Sequence, residues 1–99
     1  MANLQVVAVM TAKPGSMKAV REALLALVEP TRSEPGCNSY QLFTSAVDPA
    51  TFITVETWTS REELNAHYQS PQVRQALDAA STDLLEPPAI HPLVPVNPA

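Results

Sequence analysis

Between Leu4 and Ala12 the chain is apolar on both alternating sets, with Leu4, Val6, Ala8 and Met10 on one and Val7 and Val9 on the other. Side chains of a strand alternate between its two faces, so a strand with one face in water shows one polar set. This strand needs cover on both faces. Pro14 and Gly15 end it, Ser16 is placed to cap a helix, and Met17, Val20, Leu24, Leu27 and Thr31 then recur at spacings of three and four. That spacing predicts an amphipathic helix. Pro30 is expected to kink or end it, and Glu34-Pro35-Gly36 to complete the break.

Cys37 to Ser45 alternates again, with Tyr40 and Leu42 on one side and Ser39, Gln41 and Phe43 on the other. The turn residues Val47-Asp48-Pro49-Ala50 separate it from a third stretch, Thr51 to Thr59, which carries Phe52, Ile53, Val55 and Trp58. The two read as an antiparallel hairpin. Ser60-Arg61-Glu62-Glu63 matches a capping box and predicts a helix start. Pro71 should interrupt that helix, with Val73, Leu77, Leu84 and Leu85 marking a second piece to about Asp83 before Pro87-Pro88 stops it. The tail from Ala89 to Val96 holds Pro92 and Pro95, which cannot donate to a ladder, so as a strand it belongs at a sheet edge.

Strand, helix, strand, strand, helix, strand is the split βαβ order of a ferredoxin-like α+β domain. Two helices cover one face of such a sheet. The other face then needs a partner, and a homodimer pairing sheet against sheet, a dimeric α/β-barrel, is the simplest solution. At 99 residues the chain is expected to be one domain over 1–99, with 97–99 a short disordered tail.

Composition removes several function classes. The net charge is -4 with no basic run, which argues against nucleic acid. Cys37 is the one cysteine, so no intrachain disulfide or paired-thiolate metal site forms, and it reads as a small buried hydrophobe. The apolar start has no basic region before it and no run is long enough for a membrane span, so a cytoplasmic location is expected. Two distant histidines give no metal-ligand spacing, and two glycines give no phosphate loop, so neither metal nor nucleotide cofactor is expected.

Three blocks carry a family resemblance: Glu34-Pro35-Gly36-Cys37 leading into Tyr40, then Val55-Glu56-Thr57-Trp58-Thr59-Ser60, then His67-Tyr68-Gln69-Ser70-Pro71. In order and spacing the chain resembles the antibiotic-biosynthesis monooxygenase family, with a quinol-monooxygenase-like pattern. The resemblance implies a dimeric ferredoxin-like barrel and cofactor-independent oxidation of a quinol or polycyclic aromatic by molecular oxygen. It also includes haem-degrading members, which are similar in using an Asn and a His at positions that here are Ala8 and Leu77. Neither residue can ligate iron or hydrogen-bond bound oxygen, so haem degradation is not expected. Gln72 stands where many members have a histidine.

His67 shares a helix face with Leu64 and Pro71 and so points inward, where an imidazole can take a proton near neutral pH. The alternative is a histidine that bonds a backbone carbonyl and fills the helix–sheet junction. Trp58 and Glu56 share a strand face with Phe52 and Thr54, a mixture that suits a pocket stacking a flat ring and orienting its hydroxyls. Alternatively Trp58 caps the core and Glu56 pairs with an arginine such as Arg61 or Arg32 at the dimer seam. Tyr40 and Tyr68 are candidates to hold substrate oxygens, and His91 is expected at an exposed edge. His67 is therefore the candidate base, with Trp58, Tyr40, Tyr68 and Glu56 as substrate-binding candidates. A dimeric protein that binds small molecules without turnover is a second reading, motivated by Gln72. Isomerisation of a small phosphorylated sugar is a third, and the six dispersed Lys and Arg make it less attractive.

Overall fold

The structure, a computed structural model, describes residues 3–98. Residues 1–2 and 99 lie outside the described residues, and with 99 part of the expected tail. The chain runs β1 (Leu4–Thr11), α1 (Met17–Arg32), β2 (Cys37–Thr44), β3 (Thr51–Trp58), α2 (Arg61–Gln69), α3 (Pro71–Ala80), a single 3-10 turn at Ser81–Asp83, and β4 (Ala89–Pro92). The sheet order is β2-β3-β1-β4, with every neighbouring pair antiparallel. This is the ferredoxin-like α+β fold, with the proline-bearing β4 at the edge.

Local chemistry explains most boundaries, and four expectations need correction. Ser16 does not cap α1 through its side chain; its hydroxyl donates to Asp83 Oδ1 at 2.9 Å and ties the start of α1 to the 3-10 turn. Pro30 does not end α1, which runs on to Arg32. A proline one turn from a helix end removes one donor, while Leu27 and Thr31 on either side of it stay buried and hold the last turn in place. The capping box is half made: Ser60 Oγ accepts from the Glu63 amide at 3.3 Å, but the Glu63 side chain lies over Gly36. Finally, the second helical piece reaches Asp83 as expected, α3 to Ala80 and then the 3-10 turn, but Leu84 and Leu85 lie beyond it. Leu84 is extended and bridges Ala12, because burying its side chain against β1 outweighs one more turn of helix.

Pro71 interrupts the second helical stretch as its chemistry requires. It occupies the first turn of α3, where its missing amide would be free in any case, and Ser70 caps by accepting from the Val73 amide at 3.3 Å. β4 is shorter than the expected Ala89–Val96. It ends at Pro92, and Val94 and Val96 are exposed.

The register sorts the residues of the sheet. On the face under the helices stand Val6, Ala8 and Met10 of β1, Tyr40 and Leu42 of β2, and Phe52, Thr54, Glu56 and Trp58 of β3. One apolar cluster forms around Ala8, Met10, Val20, Leu24, Phe52 and Leu84, and a second around Val6, Trp58 and Leu64. Between them β3 places Thr54 and Glu56, both fully buried. The opposite face carries Val7, Val9, Ile53, Val55 and Phe43, half-buried or exposed in the single subunit.

Candidate functional site

The turn that separates α1 from β2 begins the site. The Cys37 amide donates to the Glu34 carbonyl at 3.2 Å, with Pro35 and Gly36 between them and Gly36 at φ +82°. Proline presets the second position of such a turn and glycine tolerates the left-handed third. Gly36 is required twice over, because a Cβ there would also run into the Glu63 side chain. The turn delivers the Glu34 carboxylate to the buried face of α2. There Glu34 Oε1 lies 2.8 Å from His67 Nδ1.

His67 is 2% exposed, with Tyr68 edge-on at 4.7 Å, Trp58 tilted against it at 4.9 Å, and Tyr40 edge-on at 6.0 Å between ring centres. The expected inward orientation is what the structure has. Its alternative, a bond to a backbone carbonyl, is replaced by the bond to Glu34. A carboxylate oxygen at Nδ1 accepts, so that nitrogen carries a proton, and in the neutral imidazole the unshared pair lies on Nε2. Among the described residues Nε2 makes no hydrogen bond.

Behind this ring lies a second polar group. Glu56 is wholly buried and accepts from Thr54 Oγ1 at 2.6 Å, Trp58 Nε1 at 2.8 Å and the Tyr68 hydroxyl at 3.4 Å. An indole N–H can only donate, so the carboxyl oxygen facing it must accept. The expected alternative of a Glu56–arginine pair is corrected here. Arg32 donates to the Tyr40 carbonyl at 2.9 Å and pairs with Glu29, while Arg61 is exposed. Burial, and then the nearby Glu56 charge, push both the Tyr40 and Tyr68 phenols well above their ordinary range. Both therefore stay protonated at any physiological pH: the Tyr40 hydroxyl is available as a donor, while that of Tyr68 gives its proton to Glu56.

A cavity of about 20 Å³ adjoins these groups. Tyr40, Thr54, His67 and Tyr68 form its polar wall; Ala8 and Met10 of β1, Leu24 and Leu27 of α1, Val73 and Leu77 of α3, and Pro88 and Ile90 form the rest. The structure thus brings His67, Tyr40 and Tyr68 to one space, with Glu56 one bond behind. Trp58 is not part of the wall. It is fully buried beyond His67, with its indole N–H committed to Glu56, so it supports the site from behind. Ala8 and Leu77, the positions read for the haem-degrading pattern, do line the cavity, and both are apolar. Gln72 is exposed and lines no part of it, and His91 is exposed opposite Val7 on the edge strand.

Glu34 was not among the candidate residues. Its signal was its place before Pro-Gly, since a carboxylate on such a turn is held in a set direction. Cys37, expected to be buried, is only partly so, and burial raises its thiol above the ordinary value. Among the described residues no cluster of three or more His, Cys, Asp or Glu is placed to hold a metal, and no helix is long and apolar enough to cross a membrane.

Comparison with known proteins agrees with this architecture. Residues 4–79 match the antibiotic biosynthesis monooxygenase domain. The chain is 34% identical over 87 residues to a Mycobacterium tuberculosis protein named "Putative monooxygenase Rv0793", covering 88% of this chain and 85% of that one. The solved structure of Rv0793 superposes with a TM-score of 0.87 over 99% of both chains, at 32% identity. PA3566 from Pseudomonas aeruginosa superposes with a TM-score of 0.88 at 28% identity, over 98% of this chain and 97% of that one. An uncharacterised Synechocystis protein, sll1783, is 39% identical over 62 residues, which span 63% of this chain and 42% of that protein's length.

Proposed function

The chain belongs to the antibiotic biosynthesis monooxygenase family, and from that premise we propose that it is a cofactor-independent monooxygenase acting on a quinol-type aromatic, with His67 as the base. The observation that carries this reading is the Glu34–His67 pair beside a cavity whose other polar groups are two phenols and a hydroxyl. No lysine or arginine lines that cavity, which argues against a phosphorylated sugar as substrate.

The reaction balances as quinol plus dioxygen giving hydroxyquinone plus water. Nε2 of His67 takes a phenolic proton, and the phenolate is then electron-rich enough to transfer an electron to dioxygen. Recombination forms a carbon–oxygen bond at the ring; cleavage of the O–O bond and loss of the ring hydrogen release water, so dioxygen accepts four electrons in all. The protonated Tyr40 donates to one substrate oxygen, while Tyr68, whose proton is given to Glu56, accepts from a substrate hydroxyl. The buried, largely apolar walls exclude water from the reduced oxygen species. The small aromatic substrate and dioxygen are thus the partners of the site, and a second copy of the chain, covering the open sheet face, is its structural partner.

Oxygen uptake with a panel of reduced naphthoquinols tests the reading. His67→Ala should lower the rate by about 10²–10⁴-fold, the usual contribution of a general base. Glu34→Gln keeps the shape but lets the imidazole adopt either tautomer. Loss of a charge-assisted bond worth about 1.5–3 kcal/mol should slow turnover by roughly 10- to 100-fold. Equal rates for the wild type and His67→Ala would remove His67 from the chemistry.

A further inference from the structure

The cavity beside His67 has room for about one water molecule, far less than an aromatic ring needs. Two of its walls, Leu77 and Pro88, also line a shallow outer groove of about 370 Å³ between the end of α3 and the chain leading to β4. The outer groove is within the size range of small-molecule sites. Leu84, Leu85 and Pro87 complete its apolar lining, and Leu85 is 59% exposed there. Its charged residues, Asp78 and Glu86, are acidic, and no lysine or arginine lines either space.

The segment between the two spaces is built to move without disturbing the sheet. At one end Leu84 bridges Ala12 and the Leu85 amide donates to the Thr11 carbonyl at 2.9 Å; at the other, β4 pairs with β1 from Ala89. Between these anchors Pro87 and Pro88 have no amide hydrogen to bind anything. On the α3 side Leu77 is only partly buried. Displacing the Leu77 and Pro88 side chains would therefore join the groove to the cavity at the cost of packing alone.

We propose that this outer groove is a second subsite, which takes the apolar extension of an uncharged quinol while the hydroxylated ring passes Leu77 and Pro88 to reach His67. It rests on the quinol reading above and narrows it to substrates that carry an alkyl chain on the ring system. A sulfonate or phosphate on the extension would face Asp78 and Glu86 with no cation to meet it.

Binding of oxidised quinones, which cannot turn over, separates this from the catalytic reading. Titrations of the full chain with 1,4-naphthoquinone and its 2-hexyl derivative, followed by methyl NMR shifts of Leu77, Leu84 and Leu85, should give a Kd at least about tenfold lower for the hexyl compound, from the apolar area it buries. Leu85→Asp, at an exposed position, should abolish that advantage and leave the parent quinone unchanged. The 2-sulfonate should bind more weakly than the parent. Equal affinities for parent and hexyl compounds, or an unaltered preference in Leu85→Asp, would overturn the groove alone. No binding by either quinone would overturn the groove and count against quinols as the substrate class, whereas loss of oxygen uptake with binding intact would strike only the catalytic reading.

Discussion

On the helix-covered face of the sheet, β3 sets Phe52, Thr54, Glu56 and Trp58 in sequence, and all four are buried. On the opposite face the same strand sets Ile53, Val55 and Thr57, and Val55 remains 44% exposed. With Thr51 each face of this strand has two apolar residues out of four, yet the face that carries the carboxylate is the one removed from water. Polar groups survive burial there because each finds a partner: Thr54, Trp58 and Tyr68 all donate to Glu56, and Glu34 meets His67. The contrast separates two jobs. The covered face gathers the polar groups of the candidate site, and the open face leaves apolar area accessible in the single subunit.

Removing the largest element of the covered face should have the largest effect. Trp58→Ala deletes a fully buried indole and leaves a Glu56 oxygen without its donor, so unfolding by urea should show a loss of about 3–5 kcal/mol, a large part of the stability of a small domain. A loss under about 1 kcal/mol would mean that the region repacks freely and that Glu56 is not held as described.

The raised phenols give the covered face an alkaline signature. An unfolded chain releases tyrosine protons near pH 10, while burial and then the Glu56 charge keep Tyr40 and Tyr68 protonated in the folded state. Above about pH 10 the unfolded chain therefore binds fewer protons, so stability is complete below that pH and falls as pH rises, by about 1.4 kcal/mol per pH unit for each phenol. Urea midpoints measured from about pH 9 to 11 should show this slope, and Tyr68→Phe should remove about half of it. A flat profile would place both phenols in water.

The open face should show the smallest effect on the subunit itself. Val55→Asp is expected to change the stability of the single chain by no more than about 0.5 kcal/mol, since the residue is exposed, while converting a dimer to a monomer in sedimentation at micromolar concentration. A wild type that sediments as a soluble monomer of 10.7 kDa would end the comparison; it would show that the apolar face needs no cover.

Much of this was determined by the sequence alone. The two-sided apolarity of β1, the period-two alternation of β2 and β3, the Ser70-Pro71 start of α3 and the prolines of the edge strand are local signals, because the alternation of a strand and the donor count of a proline do not depend on the rest of the chain. The shared face of Glu56 and Trp58 and the inward aim of His67 follow from the same periodicities. What only the tertiary structure decided were the partners. Glu34 and His67 are 33 positions apart and meet because a turn and a helix converge; Glu56 turns to an indole and a phenol and away from either arginine; Trp58 ends behind the imidazole and outside the cavity; Leu84 leaves its helix for Ala12. Residue type sets what a side chain can accept or donate, but which of several capable partners it meets depends on the packing of elements distant in sequence.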